Sequence, residues 1–224
     1  MVVRPPKAFV SWSSGKDSAY ALLEARRQRI AEIVGIITTV DADDACVAVH
    51  RVRSSLLTRQ AAALELPLIR VELPHPCPNE AYEARFAEAC AGIKAQGVEY
   101  IVFGDLFLED IRTYREGLLA RAGMQGLFPL WRWDTRSLAR DMIVSGIVAH
   151  LVCVDLQRLD RRYAGRAFDA ALLRELPAGV DPCGENGEFH TAVSAGPMFT
   201  APIPIYVGER VERNGFAYAD LLPD

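Results

Sequence analysis

Short runs of β-branched and apolar residues alternate with longer amphipathic stretches in the first half of the chain. The short runs predict strands that are buried on both faces, and the amphipathic stretches predict helices. Strands and helices that alternate at these lengths indicate βαβ units and a parallel sheet. The predicted strands cover residues 7–12, 33–39, 67–73 and 99–104, with a polar turn at 41–44. One predicted helix starts after residue 18, two cover about 46–66 and 108–122, and another contains Tyr82 and stops at Gly97.

The pattern changes after Gly126. Asp134 is positioned to cap a helix that ends near Gly146, and a second, short helix is expected within residues 160–175. Strands are predicted at residues 127–131, 147–154, 189–193 and 203–211, with a polar loop at 177–187. We therefore expect two units. Residues 1–124 would form the parallel α/β unit, and residues 125–224 a smaller α/β domain packed over its ligand-binding edge.

The six residues Ser13–Ser18 lie between the first strand and the first helix. Backbone N–H groups at a helix N-terminus, together with the helix dipole, favour an anion. Gly15 allows close backbone approach, and Lys16 adds an ammonium group suited to phosphate. This turn therefore predicts a site for a phosphate chain, and the alternative is an ordinary serine-capped strand–helix turn.

The turn is not a Walker A motif. Val10 stands where that motif needs its first glycine, and Asp17 follows the lysine in place of Ser or Thr. Of the 25 lysine and arginine residues, the lysines are Lys7, Lys16 and Lys94. Where arginine is so strongly preferred, a lysine in this turn indicates a requirement for an ammonium group.

Ligands of parallel α/β sheets bind beyond the carboxyl ends of the strands. Four polar segments fall at those predicted ends: residues 13–18, 38–44, 75–77 and 105–107. The motif and the fold rule therefore predict the same edge of the sheet.

Composition excludes several classes of function. A net charge of −4 and a pI of about 5.6 argue against a general nucleic-acid binder or a membrane-surface protein. Five cysteines without a C-x-x-C pair fit reduced thiols in a cytosol and predict neither a disulfide framework nor a metal site. Since no signal peptide or apolar run of transmembrane length is evident, we expect a cytoplasmic protein with no membrane partner.

Three more stretches carry chemically active side chains. Arg112, Arg115 and Glu116 can share one face of a helix, although a solvated face of ion pairs is the usual role of such charges. Trp131 follows Pro-Leu and could equally belong to the core. Residues 181–191 combine carboxylates, glycines and a histidine, which are unsuited to a core and typical of either a site or a plain polar loop.

Taken in order, these stretches resemble the diphthine–ammonia ligase family of PP-loop ATP pyrophosphatases. Residues 13–18 match the S-G-G-x-D-S motif except at Ser14, which replaces its first glycine. The likeness continues through P-L-W at 129–131, Leu-Asp at 159–160 with Gly-Arg at 165–166, and G-E-x-G-E-F at 184–189. It covers nearly the whole chain.

The resemblance implies a Rossmann-like sheet of the PP-loop type that binds ATP, with a second domain that completes the site. Family enzymes adenylate a carboxylate with release of pyrophosphate, Mg²⁺ assisting, and ammonia then displaces AMP to form an amide. The acceptor is the diphthine side chain of elongation factor 2 in archaea and eukaryotes, and a bacterial source would leave the acceptor open. The oligomeric state, a homodimer included, also stays open.

The resemblance assigns roles to individual residues. In the family motif the acidic pair is followed by Glu-Thr; His190 replaces that glutamate here, which changes the charge and proton handling near the acceptor. The ATP-binding residues are Ser13, Ser14, Gly15, Lys16, Asp17, Ser18, Thr38, Thr39, Gly104 and Asp105; the catalytic ones are Lys16, Glu185, Glu188 and His190; the substrate-binding ones are Arg112, Arg115, Glu116, Trp131, Gly187 and Thr191.

Two alternatives belong to other classes. The chain could be a regulator that binds ATP or AMP without turnover, which an assay for pyrophosphate release would reveal. It could also be a PP-loop enzyme acting on tRNA, but that hypothesis lacks a basic surface and a C-x-x-C pair.

Overall fold

The computed structural model describes residues 4–42, 46–47 and 52–224. The first part of the chain forms a five-stranded parallel sheet with helices on both faces. Its elements are β1 Lys7–Ser11, α1 Lys16–Arg27, β2 Glu32–Asp41, α2 Ser54–Leu64, β3 Leu68–Leu73, α3 Asn79–Lys94, β4 Tyr100–Val102, α4 Glu109–Arg121 and β5 Gln125–Leu127. The strand order is β3-β2-β1-β4-β5, which confirms the predicted Rossmann-like sheet.

Each face of this sheet has its own apolar core. On one face, Val10 and Ile36 pack in a cluster with Leu22 of α1 and Leu56 of α2. On the other, Phe9, Ile37 and Ile101 pack with Phe86 of α3 and Leu119 of α4. Strands buried on both faces are continuous apolar runs, which is why the hydrophobic pattern predicted them.

The helix predicted from about residue 46 starts later than expected. Cys46 and Val47 form single β-bridges with Arg53 and Val40, so their backbone groups pair with strand-like neighbours instead of a helical turn. The helix begins only at Ser54, where α2 starts. Residues 43–45 and 48–51, on which the rest of the predicted turn and helix start fall, lie outside the described residues.

The second part of the chain forms a four-stranded antiparallel sheet in the order β7-β6-β9-β8. Asp134 caps α5 by accepting a hydrogen bond from the Ser137 N–H at 2.9 Å, as predicted. The elements are α5 Thr135–Val144, β6 Val148–Asp155, a 3-10 turn at Arg161–Tyr163, α6 Ala170–Glu175, β7 Phe189–Ala195, β8 Ile205–Arg213 and β9 Phe216–Pro223. The predicted smaller α/β unit is thereby confirmed.

Two strands of the second half differ from the prediction. The strand expected at 127–131 is wrong, because Gln125–Leu127 pairs with β4 in the parallel sheet and residues 129–132 form a turn. Strand β9 was not predicted; its inward positions are held by small side chains such as Ala217 and Ala219, which give a weak hydrophobic signal. The division of the chain at residues 124 and 125 stays a prediction.

We expect Gly35→Ala to destabilise the fold. Gly35 on β2 lies directly opposite Phe9 on β1, and an added Cβ would meet the Phe9 ring at 2.4 Å. Overpacking of this kind costs about 1–3 kcal/mol, which urea unfolding would measure. Gly92→Ala in α3 is the matched control: nothing lies within 4 Å of its added Cβ, so stability should stay level or rise by up to about 1 kcal/mol. Equal effects of the two substitutions would contradict this packing argument.

Candidate active site

A cavity of about 490 Å³ lies at the carboxyl edge of the parallel sheet. Its walls come from the turn after β1, the end of β2, the β4–α4 connection and the segment that leads into β7. Segments up to 180 residues apart in sequence, Ser11 and Thr191 being the extremes, therefore meet around one space. Of the predicted site residues, the lining includes Ser13, Gly15, Asp17, Ser18, Thr38, Thr39, Gly104, Asp105, Arg115, Glu185, His190 and Thr191.

Seven predicted site residues lie outside this lining. Ser14, Lys16 and Glu188 are buried behind the cavity wall. Arg112 bonds to Glu116 at 2.8 Å, and its guanidinium lies over the ring of Trp131 at 4.7 Å. Arg112 and Glu116 of α4 thus form a partly exposed cluster with Trp131 of the turn at 129–132. The seventh, Gly187, has a φ of 83° in the polar loop before β7.

The PP-loop, residues 13–18, holds an unusual backbone conformation. Ser14 has a φ of 69° and is fully buried, although its side chain is not glycine. Its carbonyl accepts hydrogen bonds from the Val193 N–H at 2.9 Å and from Gln60 Nε2 at 3.2 Å. A left-handed residue of this type costs about 1–3 kcal/mol and persists only where its surroundings hold it. Here the helix α2 and the strand β7 hold it together.

Gln60 is the centre of that restraint. Its side chain is fully buried, accepts a hydrogen bond from Trp12 Nε1 at 2.9 Å and donates a second one to the Val193 carbonyl at 2.8 Å. One amide therefore joins the end of β1, the PP-loop and β7. Each of its hydrogen-bonding groups is used, as a buried amide requires.

Close backbone contacts fix the loop on its other sides. An added Cβ at Gly104 would lie 2.7 Å from the Asp17 carbonyl carbon, and one at Gly15 would lie 3.0 Å from the Thr191 carbonyl oxygen. The Lys16 N–H donates to Thr191 Oγ1 at 3.1 Å. The loop is thus clamped between the end of β4 and β7. The first-turn N–H groups of α1 at Asp17 and Ser18 have no acceptor within the helix.

Lys16 is buried, with 1% of its surface exposed. Its Nζ donates to both carboxylate oxygens of Asp17 at 2.9 Å and to the Cys183 carbonyl, and lies 5.3 Å from the Phe168 ring and 5.5 Å from the Phe189 ring. Burial, the largest single effect, lowers the pKa of Lys16, but the charge of Asp17, its hydrogen bond to Lys16 and the other neighbouring groups together outweigh it, and the net shift is upward. The ammonium is therefore charged and shared between the two halves of the chain. A role for it in binding phosphate stays a prediction.

Glu188 stabilises the polar loop before β7. It is fully buried and accepts hydrogen bonds from the backbone N–H groups of Asp181 and Asn186, both at 3.0 Å, and from Asn186 Nδ2 at 3.2 Å. These donors satisfy the carboxylate and fold the loop around it. Glu188 therefore holds the loop in shape.

Glu185 faces the cavity. Its Oε1 accepts a hydrogen bond from the Leu106 N–H at 2.8 Å, which anchors the side chain beside the end of β4. Burial raises the pKa of Glu185 to about 7, and the nearby carboxylates of Asp17 and Asp105 add to the rise. A carboxylate with this pKa exchanges its proton near neutral pH, as a general base does.

Models of one protein family match almost the entire chain. The diphthamide synthase N-terminal domain matches residues 6–126, and the diphthamide synthase C-terminal domain matches residues 134–220. The chain belongs to the diphthamide synthase family. This finding confirms the resemblance to diphthine–ammonia ligases on which the sequence analysis relied.

Curated relatives named diphthine–ammonia ligase agree with this assignment. The Schizosaccharomyces pombe protein is 35% identical over 107 residues, which are 46% of this chain and 18% of that protein. The human protein is 26% identical over an alignment of 228 positions that covers 92% of this chain and 85% of the human one. The bovine protein is 32% identical over 127 residues, 54% of this chain and 48% of its own length. This chain therefore spans most of the human relative and a small part of the yeast one.

Some residues of the site were missed by the sequence analysis. Gln60 had one signal, since it is a polar residue within the apolar stripe of α2 that contains Leu56 and Leu64. Phe168, near the Lys16 ammonium, had none, because an aromatic residue at such a position usually belongs to a core, and Phe189 was quoted only as the last residue of the motif at 184–189. The aromatic part of the cavity wall was missed for the same reason.

We expect Gln60→Glu to loosen the PP-loop. The substitution keeps the size of the side chain but places an oxygen where Nε2 now donates to the carbonyls of Ser14 and Val193. A buried carboxylate facing two carbonyls should cost about 2 kcal/mol or more and weaken ATP binding. Urea unfolding and calorimetric ATP titration would measure both effects.

Gln96→Glu provides the matched control for that experiment. Gln96 is exposed after α3 and donates to the Gly92 carbonyl at 3.1 Å, so the change should stay within about 0.5 kcal/mol. If Gln60→Glu bound ATP as the wild type does, the restraint on the loop would have no role in the site.

Proposed function

We propose that this protein is an ATP-dependent ligase that forms AMP and pyrophosphate and converts a carboxylate to an amide with ammonia. Membership of the diphthamide synthase family and relatives named for ammonia ligation support this function. The observation that carries it is the shared cavity. Its lining presents a helix N-terminus for an anion together with Glu185, whose pKa is raised to about 7.

The nucleotide half of the proposal uses the end of β2 and the PP-loop. Thr38 and Thr39 line the cavity at the end of β2, and Thr38 Oγ1 donates to the Trp12 carbonyl at 2.8 Å. A nucleoside on this side would leave its phosphates over the N-terminus of α1, where Ser13 and Ser18 add hydroxyl groups. Pyrophosphate that develops there is stabilised by the free N–H groups and the helix dipole.

Magnesium belongs to the proposal as a companion of ATP. Within residues 4–42, 46–47 and 52–224, no group of three or more His, Cys, Asp or Glu side chains is arranged to hold a metal ion. Mg²⁺ commonly binds through substrate phosphates, waters and one or two carboxylates. Asp17, which lines the cavity beside the PP-loop, fits that pattern. Bound there, the ion would neutralise phosphate charge.

The proposed reaction has two steps. An acceptor carboxylate oxygen bonds to the α-phosphorus of ATP, the bond from that phosphorus to the bridging oxygen breaks, and pyrophosphate leaves. Ammonia then bonds to the acyl carbon, the bond from that carbon to the AMP oxygen breaks, and AMP leaves while the nitrogen loses a proton. Glu185, close to Asp17 and Asp105 in an acidic part of the cavity, is placed to attract ammonium and to accept protons from nitrogen.

The proposed acceptor is the diphthine side chain of elongation factor 2. The names of the relatives support this acceptor, and His190 in the cavity lining is the point where the chain departs from the family motif. A regulator that binds ATP without turnover is the competing hypothesis. No observation favours action on tRNA.

Two further observations concern the cellular location of the protein. Among the residues that the structure describes, no helix is long and apolar enough to cross a membrane. All five cysteines are free thiols, which suits the reducing conditions of a cytosol. We propose a cytoplasmic location on this basis.

The function is tested by incubating the protein with ATP, Mg²⁺, ammonium chloride and elongation factor 2 that carries diphthine. We expect phosphorus NMR to show AMP and pyrophosphate, and mass spectrometry to show conversion of the acceptor carboxylate to an amide. Formation of ADP and phosphate would contradict the proposed chemistry. ATP binding without any turnover would favour the regulatory hypothesis.

The pH dependence of kcat/KM is expected to report the protonation of the Glu185 carboxylate. Since only the carboxylate form accepts a proton, activity should fall about tenfold per pH unit below about pH 7. Glu185→Gln should lower kcat by a factor of about 10²–10⁴, abolish this acidic limb and leave ATP affinity nearly unchanged. Glu72→Gln, at an exposed position of β3, should keep the wild-type profile.

Glu188→Gln should act differently from Glu185→Gln. Its new amide group would face N–H donors in the polar loop, so urea unfolding should show lower stability.

For Glu185 itself, the pH profile decides. If Glu185→Gln kept the acidic limb of the profile, Glu185 would not be the base.

A further inference from the structure

The cavity has a second end whose chemistry differs from that of the PP-loop. We call it the β4 end; it is formed by Tyr82 and Phe86 of α3, Phe103 after β4, and Ile111 and Arg115 of α4. Tyr82 and Phe86 are stacked, with ring centroids 5.8 Å apart and planes 11° apart. The PP-loop side presents hydroxyl and backbone N–H groups, whereas this end presents aromatic and aliphatic surface around one guanidinium.

Arg115 is held in a defined position. Its guanidinium lies 4.6 Å from the Phe103 ring centroid, and its Nε is 3.1 Å from Asp105 Oδ2. The two atoms of that ion pair are buried and not aligned for a hydrogen bond, and none of the described residues accepts a hydrogen bond from Arg115. The terminal nitrogens are thus oriented by their neighbours and keep their donors for a ligand.

Other cations do not compete for an anion in this part of the cavity. Among the described residues that line it, Arg115 is the one lysine or arginine. The nearby Lys16 is buried, and its Nζ is already bonded to Asp17 and the Cys183 carbonyl. A carboxylate that enters the cavity beyond the PP-loop therefore has one guanidinium to bind.

The strand order separates this end from the nucleoside. β2 and β4 lie on opposite sides of β1 in the sheet, and the PP-loop follows β1. A nucleotide with its base at the end of β2 and its phosphates over the PP-loop reaches the β4 end only with its phosphates. The base and ribose therefore leave the space next to Arg115 open for another group.

We propose that the β4 end is the acceptor subsite: Arg115 binds the acceptor carboxylate, and the aromatic wall binds a flat or apolar group carried beside it. This inference rests on the ligase function proposed above and names its substrate class. A guanidinium binds a carboxylate through two parallel hydrogen bonds and so fixes its orientation as well as its charge. Tyr82 and Phe86 select acceptors with a ring or an apolar chain over small carboxylates such as acetate.

The test compares variants of Arg115 in the full-length protein. Arg115→Ala should raise the KM for diphthine-bearing elongation factor 2 by about tenfold or more, while the Kd for ATP changes by less than about twofold. Arg115→Lys should restore only part of the loss, because an ammonium group lacks the planar fork. Arg121→Ala on the same helix, where Arg121 pairs with Glu83, should behave as the wild type.

A second measurement keeps the inference separate from turnover. With a non-hydrolysable ATP analogue bound, 3-phenylpropionate should give saturable NMR shifts with the wild type, much weaker ones with Arg115→Ala, and acetate should bind far less well. If the wild type formed no amide but this pattern held, the proposed reaction would fail and the subsite would stand. Equal binding of 3-phenylpropionate to both proteins, or an equal loss of ATP affinity in Arg115→Ala, would overturn the subsite.

Discussion

The site depends on the restraint of the Ser14 carbonyl. That oxygen accepts hydrogen bonds from the Gln60 side chain and the Val193 backbone, and the restraint keeps a serine in the left-handed region. Neither donor belongs to the strand or helix that flank the PP-loop: Gln60 comes from α2 and Val193 from β7. The backbone geometry of residues 13–18 therefore depends on contacts with α2 and β7.

A separate set of hydrogen bonds determines which charges face the cavity. Lys16 is drawn away from it by Asp17 and the Cys183 carbonyl, and Glu188 is turned inward to hold the polar loop. Glu185, three residues earlier in the same loop, remains in the cavity with a pKa raised to about 7. Two glutamates of one motif thus have different roles because one is satisfied by N–H donors and the other is only partly satisfied. Few charged groups therefore remain free to react in the cavity, and they differ in chemical type.

Much of the fold could be predicted from the hydrophobic pattern, and the exceptions have physical causes. Strands buried on both faces, such as β2, give continuous apolar runs, and Asp134 gave a local cap signal for α5. Strand β9 was not predicted because alanine residues, whose small side chains give a weak hydrophobic signal, occupy inward positions such as 217 and 219. β5 was missed because a three-residue strand gives no periodicity, and its pairing with β4 is a long-range contact. The start of α2 depended on single bridges between neighbouring segments, which no local pattern reports.

The sequence by itself determined the parallel sheet, the family, the PP-loop and the edge of the sheet at which residues of the cavity meet. These follow from local signals: periodicity, turn residues and ordered motifs within short windows. Only the tertiary structure decided that Glu185 faces the cavity while Glu188 does not, that Lys16 is buried, and that Arg115 keeps its donors while Arg112 lies on Trp131. The reason is that burial and hydrogen-bond partners of a charged side chain come from residues far away in sequence. A motif specifies which groups are present, and long-range packing specifies where each group points and whether it remains free to react.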